Sequence, residues 1–172
     1  MSGRVEMDVV LPHPPERVWR ALTDSATLAE WLMPNDLRPR IGYRFGFARG
    51  RGLSRIACQV VEMEPERRLA FTWRERPDDL PDLVTWTVEP VEGGTRLRVE
   101  HVQASPEPVL ASAAALAPLV TSVLWCGAAI RLEALLAGRL VMGRVVPVSG
   151  GAPVNAVSIR RVDSIVRGRV RC

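Results

Sequence analysis

The chain reads as an α+β domain: a curved antiparallel sheet of about six strands, two short helices after the first strand, and a long C-terminal helix. Three observations carry this reading. Apolar and polar residues alternate in five consecutive short segments between residues 43 and 101. Brief turn signals separate most of those segments, which favours hairpins and hence antiparallel pairing. A stretch with apolar residues at helical spacing then follows.

Taken in order, "RVEMDVVL" (4–11) has strand composition and is ended by Pro12. Pro14 and Pro15 suit a helix entry, where a missing N–H costs nothing, and Glu16 complements the helix N-terminus. Val18, Trp19 and Leu22 share one face of that helix. Asp24 or Ser25 then caps a second short helix bearing Leu28, Trp31 and Leu32, stopped by Pro34. Tyr43, Phe45 and Phe47 begin the period of two. Ile56, Cys58 and Val60 continue it, although Val61 and Met63 blur the alternation. "EPER" (64–67) is a tight turn into Leu69, Phe71 and Trp73. An acidic, proline-containing loop (75–82) leads to Val84, Trp86 and Val88. "EGG" (92–94) is a hairpin signal before Leu97, Val99 and His101. In the final helix Trp125, Ala128 or Ala129, Leu132, Leu135 and Leu136 form one stripe, with Gly138 as its stop. Its start is open, because Pro118 disfavours helix at Ala117.

At 172 residues and 47% apolar composition, one globular domain is the economical expectation. No apolar run is long enough to span a bilayer, and "MSGRVEMD" lacks the apolar core of a secretory signal. Cys58, Cys126 and Cys172 are scattered and odd in number, which argues against a disulfide framework and suits a cytoplasmic setting. The chain has no lysine, so Schiff-base catalysis and a P-loop are excluded. Residues 1–137 hold 16 Arg against 18 acidic residues, a net of −2. Residues 138–172 hold seven Arg and one acid, a net of +6. The basic character therefore belongs to the tail, and the body has no charge footprint for nucleic acid. The sequence divides into a domain over 1–138 and an Arg/Val/Gly-rich basic tail over 139–172, expected to be poorly ordered.

Two histidines and three isolated cysteines show no metal-ligand spacing, so no metal or other cofactor is expected. "GFARGRG" lies between strands and reads as a hairpin, not a dinucleotide loop. A strongly twisted sheet is curved, and one straight helix cannot fill its concave side. Large side chains or a ligand must occupy the gap. The inward candidates are Trp31, Tyr43, Phe45, Phe47, Ile56, Cys58, Phe71, Trp73, Trp86, Leu97, Val99, His101 and Trp125. His101 is the one titratable group in this set that catches attention. It is either satisfied by a neighbouring group, or it anchors a ligand or serves as a weak acid–base candidate with Tyr43. Cys58 reads as a small hydrophobe.

"PPERVWRALTDSATLAEWLMP", "MEPERRLAFTW", "VTWTVEPVEGGTRLRVEH" and "RLEALLAG" together resemble the activator of heat-shock-protein-90 ATPase homologue-like family. That family sits within the START-like, or SRPBCC, superfamily. The resemblance covers roughly residues 4–138 and implies a helix-grip fold, with the sheet wrapped around the C-terminal helix and a deep, mainly apolar cavity between them. It departs at Gly42-Tyr43, where the family often has a glycine pair, and at Leu124, where a glycine usually precedes the helix tryptophan. Three functions follow as expectations. The first is a non-enzymatic module for a small hydrophobic molecule. The second is a cofactor-free cyclase or hydrolase-like enzyme on polyketide-type or aromatic substrates. The third is a co-chaperone-like protein that binds a heat-shock ATPase.

Overall fold

The computed structural model describes residues 3–50, 55–104 and 111–138, with the side chains of 111–119 excepted. Beyond 138 it describes only the backbone of four short strands. Strand β1 (Arg4–Leu11) is followed by helices α1 (Pro15–Thr23) and α2 (Ser25–Trp31). Five strands then succeed one another: β2 (Arg44–Ala48), β3 (Arg55–Glu64), β4 (Arg68–Arg74), β5 (Asp82–Val91) and β6 (Gly94–Val102). Helix α3 (Ala111–Leu136) follows, and the C-terminal segment adds β7 (Leu140–Val141), β8 (Arg144–Val145), β9 (Ser158–Arg161) and β10 (Arg169–Arg171).

Each boundary has a local cause. Pro14 caps α1 with Pro15 at its first position, and the Asp24 carboxylate caps α2 by accepting the Thr27 N–H at 2.8 Å. The β5–β6 hairpin turns on Gly93 at φ +82°, the left-handed conformation glycine adopts freely. At Gly94 a Cβ would come within 2.1 Å of the Leu11 carbonyl, so the last strand can start against the end of the first only as glycine. The blurred alternation at Val61 is a β-bulge: Val60 faces Phe71 and Glu62 faces Ala70, leaving Val61 unpaired in register and exposed.

The main sheet is antiparallel with strand order β10-β9-β1-β6-β5-β4-β3-β2. The six strands expected from the sequence form its body, and β9 and β10 extend it past β1. The first strand closes against the last of the meander, so α1 and α2 cross over one face of the sheet to reach β2. The helix-grip arrangement follows, with α3 packed beside α1 and α2 and against β1. Trp125, Ala128, Ala129, Leu132 and Leu136 of α3 enter one core with the inward residues of β1 to β6. Arg17 of α1 donates to the Leu136 carbonyl at 2.8 Å, satisfying an acceptor at the end of α3.

Helix α3 starts well before Trp125 and runs through Pro118 to Ala111. The alanine-rich segment supplies the strongest helix formers, which outweigh the local penalty of proline. On the opposite sheet face, Arg98 pairs with Asp8, Arg96 with Asp8 and Glu89, and Arg4 with Glu6 and Glu100. These are the cross-strand charge pairs of a solvated surface.

Candidate functional site

The inward face of the sheet meets α2 and α3 through a continuous aromatic cluster. Phe45, Phe47 and Phe71 contact one another, with ring centroids 5.5 to 6.2 Å apart. Trp86 on β5 stands edge-on to Phe71 at 5.0 Å, and lies 6.1 Å from Trp31 of α2 and 6.3 Å from Trp125 of α3. Trp73 links Phe47 at 5.5 Å to Trp125 at 6.1 Å and His101 at 5.7 Å. Period two puts these rings on one side of each strand, and sheet curvature brings them toward the helices. Ile56, Cys58, Leu97 and Val99 are buried in the same core.

Polar groups are few inside this layer, and their partners are specific. The Trp125 indole N–H donates to His101 Nδ1 at 3.2 Å, which places the imidazole proton on Nε2. That N–H then donates to Asp82 Oδ2 at 2.9 Å, while Asp82 Oδ1 accepts the Ala104 backbone N–H at 2.9 Å. Both ring nitrogens of His101 are thus engaged, in a chain running from β5 through β6 to α3. The chain orients Trp125 and ties the helix to the sheet. The sequence reading missed Asp82, although the alternation that turns Val84, Trp86 and Val88 inward also turns Asp82 inward.

The four fully buried tryptophans differ in one respect. Trp31 donates its indole N–H to the Ala21 carbonyl at 2.8 Å, in the last turn of α1 where carbonyls lack helical partners. Trp73 donates to Glu75 at 3.3 Å, and Trp125 donates to His101. The Trp86 N–H, on a residue with no exposed surface, has no hydrogen-bond partner among the described residues.

Tyr43 and His101 do not come together. His101 faces Val84, Val84 faces Phe71, and Phe71 faces Val60, whose N–H donates to the Tyr43 carbonyl. They occupy the ends of one cross-strand row, four strand spacings or about 19 Å apart along the sheet. Tyr43 is half-buried at the β2 edge, with the guanidinium groups of Arg38 and Arg40 within 5.8 and 6.0 Å of its ring. The Cys58 thiol is pushed up to about 12 by burial, which makes it a packing group and not a nucleophile. Cys126 on α3 is disulfide-bonded, which departs from the expectation that the three scattered cysteines form no disulfide framework. Among the described residues no group of His, Cys, Asp and Glu is arranged to hold a metal ion. No helix among them is long and apolar enough to cross a membrane.

A profile for the Activator of Hsp90 ATPase homolog 1-like protein family matches residues 12–136. The chain belongs to that family. Its solved relatives share the architecture. Protein MLL2253 from Mesorhizobium loti is 33% identical with a TM-score of 0.67, over 80% of this chain and 98% of that one. The Q3J4M4_RHOS4 protein from Rhodobacter sphaeroides is 28% identical with a TM-score of 0.64, over 79% of this chain and 93% of that one. DynU16, a protein of the dynemicin biosynthetic locus, is 24% identical with a TM-score of 0.67, over 78% of this chain and 47% of that one. The last likeness is one of fold alone. None of the curated proteins matches the chain.

Proposed function

We propose that this domain holds a small hydrophobic molecule between the sheet and α3. The observation that carries the reading is the aromatic layer itself. It lies where sheet, α2 and α3 converge, it is built from side chains of all three, and its polar groups are few and placed at fixed positions. Such an apolar lining with a small number of oriented polar groups is the usual make-up of a ligand site. Membership of the family supports the reading, since its fold provides the grip.

Native mass spectrometry of freshly purified protein, together with uptake of neutral fluorescent probes, tests this proposal. A bound species or micromolar probe binding is expected. A protein that carries nothing and takes up no probe at that concentration does not hold such a ligand. The enzymatic reading, with chemistry on polyketide-type or aromatic substrates, draws support from the likeness to a protein of the dynemicin locus. It has less support in the geometry, because His101 has no free ring nitrogen and Tyr43 stands apart from it. Binding to a heat-shock ATPase rests on the family name alone, and a pull-down with the purified chaperone separates it.

A further inference from the structure

We infer that Trp86 is the polar anchor of this site, its indole N–H donating to the carbonyl oxygen of a neutral, flat, aromatic ligand. The inference rests on the ligand-holding role proposed above and narrows the chemistry of what is held. An indole N–H is a donor only, so its partner must be an acceptor. A buried donor without a partner is costly, and native proteins rarely leave one. Trp31, Trp73 and Trp125 each have a protein acceptor, and Trp86, which has no exposed surface, has none among the described residues.

The surroundings define the rest of the ligand. Phe71, Trp31 and Trp125 flank Trp86 on different sides, so a group that reaches its N–H meets aromatic faces and edges. Flat rings gain most from such walls. Among the described residues the buried polar ones are Thr85, Thr95 and His101, and no arginine is among them. The inward-turned carboxylate of Asp82 already serves His101 and the Ala104 N–H. An anionic headgroup would enter without a cation to meet it, and burying an unpaired charge is strongly unfavourable. A ketone, quinone or similar neutral acceptor fits, whereas a fatty-acid carboxylate or a sulfonate does not.

Three naphthalene probes test this. 6-Propionyl-2-dimethylaminonaphthalene carries a ketone, 6-propyl-2-dimethylaminonaphthalene lacks it, and 8-anilinonaphthalene-1-sulfonate is anionic. The wild-type chain is expected to bind the ketone most tightly and the sulfonate most weakly. Trp86→Phe keeps an aromatic ring and removes the donor, and should weaken the ketone about tenfold, the worth of one good hydrogen bond. The same change should leave the alkyl probe within about twofold. Equal ketone affinity in wild type and Trp86→Phe overturns the anchor, as for an N–H already satisfied by a water molecule, while the ligand-holding role stands. Failure of the wild type to bind either neutral probe removes that role and the anchor with it. A second readout needs no variant: the Trp86 indole proton in the wild-type NMR spectrum should move downfield and exchange more slowly when the ketone is added. A resonance that the ketone leaves unmoved while binding also overturns the anchor.

Discussion

Replacing Trp31 and Trp86 separately by phenylalanine turns their different hydrogen-bonding states into a difference in stability. The two residues are equally buried, at 1% and 0% exposure, and each swap contracts an indole to a phenyl ring in the same core. The loss of packing is therefore similar, on the order of 1 kcal/mol for so few atoms. Trp31→Phe also breaks the 2.8 Å bond to Ala21 and strands a carbonyl at the end of α1. A stranded buried acceptor costs about 1–3 kcal/mol, so the total is about 2–4 kcal/mol. Trp86→Phe removes a donor that has no partner among the described residues, and so relieves a penalty of about the size of its packing loss. Its net effect should lie within about 1 kcal/mol of zero. Protein refolded from denaturant, and so stripped of bound molecules, should show a gap of about 2 kcal/mol between the variants. For a protein of this size that is roughly 4–8 °C in thermal midpoint by calorimetry or circular dichroism. Urea unfolding with an unchanged slope would confirm that stability and not compactness has changed. If Trp86→Phe costs as much as Trp31→Phe, the Trp86 N–H has a partner in the free protein and the reasoning fails.

Asp82→Ala leaves the His101 and Ala104 N–H groups without their acceptor, and should lower stability by about 2 kcal/mol, with Asp82→Asn recovering part of it because one oxygen remains. Thermal unfolding measures both. His13 is held below the usual imidazole range, first by burial and then by the Arg17 charge. The unfolded chain therefore takes up that proton first, and this contribution to stability should fade as pH drops from about 6.5 through the folded value. His13→Gln should flatten the pH dependence there, and an NMR titration of the ring gives the folded midpoint directly. Residues 1–138 are expected to fold and take up neutral probes without the tail, with a midpoint within a few degrees of the full chain when both are measured under reducing conditions, so that the Cys126 disulfide does not enter the comparison. Because β9 pairs with β1 from Val5 to Asp8, truncation should also bare that strand edge and produce concentration-dependent self-association in analytical ultracentrifugation. Unfolding of the truncated chain would place the domain boundary beyond 138.

What the sequence made legible is what period and turn chemistry control. The strands of the meander and both short helices follow from alternation, proline and an N-cap aspartate, because each depends on residues only a few positions apart. Val61 misled the alternation for a local reason, a bulge that inserts one residue and shifts the phase. The start of α3 escaped for a different one. Val120, Val123 and Ile130 are exposed on its outer side, so its apolar residues do not mark a single face as a periodic reading requires. The site divides along the same line. That His101 points inward is a phase, and phase is visible in sequence, as was the matching phase of Asp82. The separation of Tyr43 from His101 is set by sheet order, which depends on where β1 closes the sheet and on how many strands intervene. Whether a buried donor is satisfied lies further still from the sequence, because it depends on every acceptor the fold brings near. Trp31, Trp73, Trp86 and Trp125 look alike as letters in an apolar pattern. Ala21, Glu75 and His101 distinguish three of them; Glu75 lies only two residues beyond Trp73, but Ala21 and His101 become partners only once α1 and β6 have been brought against the rings. The residue proposed to meet the ligand is therefore the one whose sequence context looks most like ordinary core.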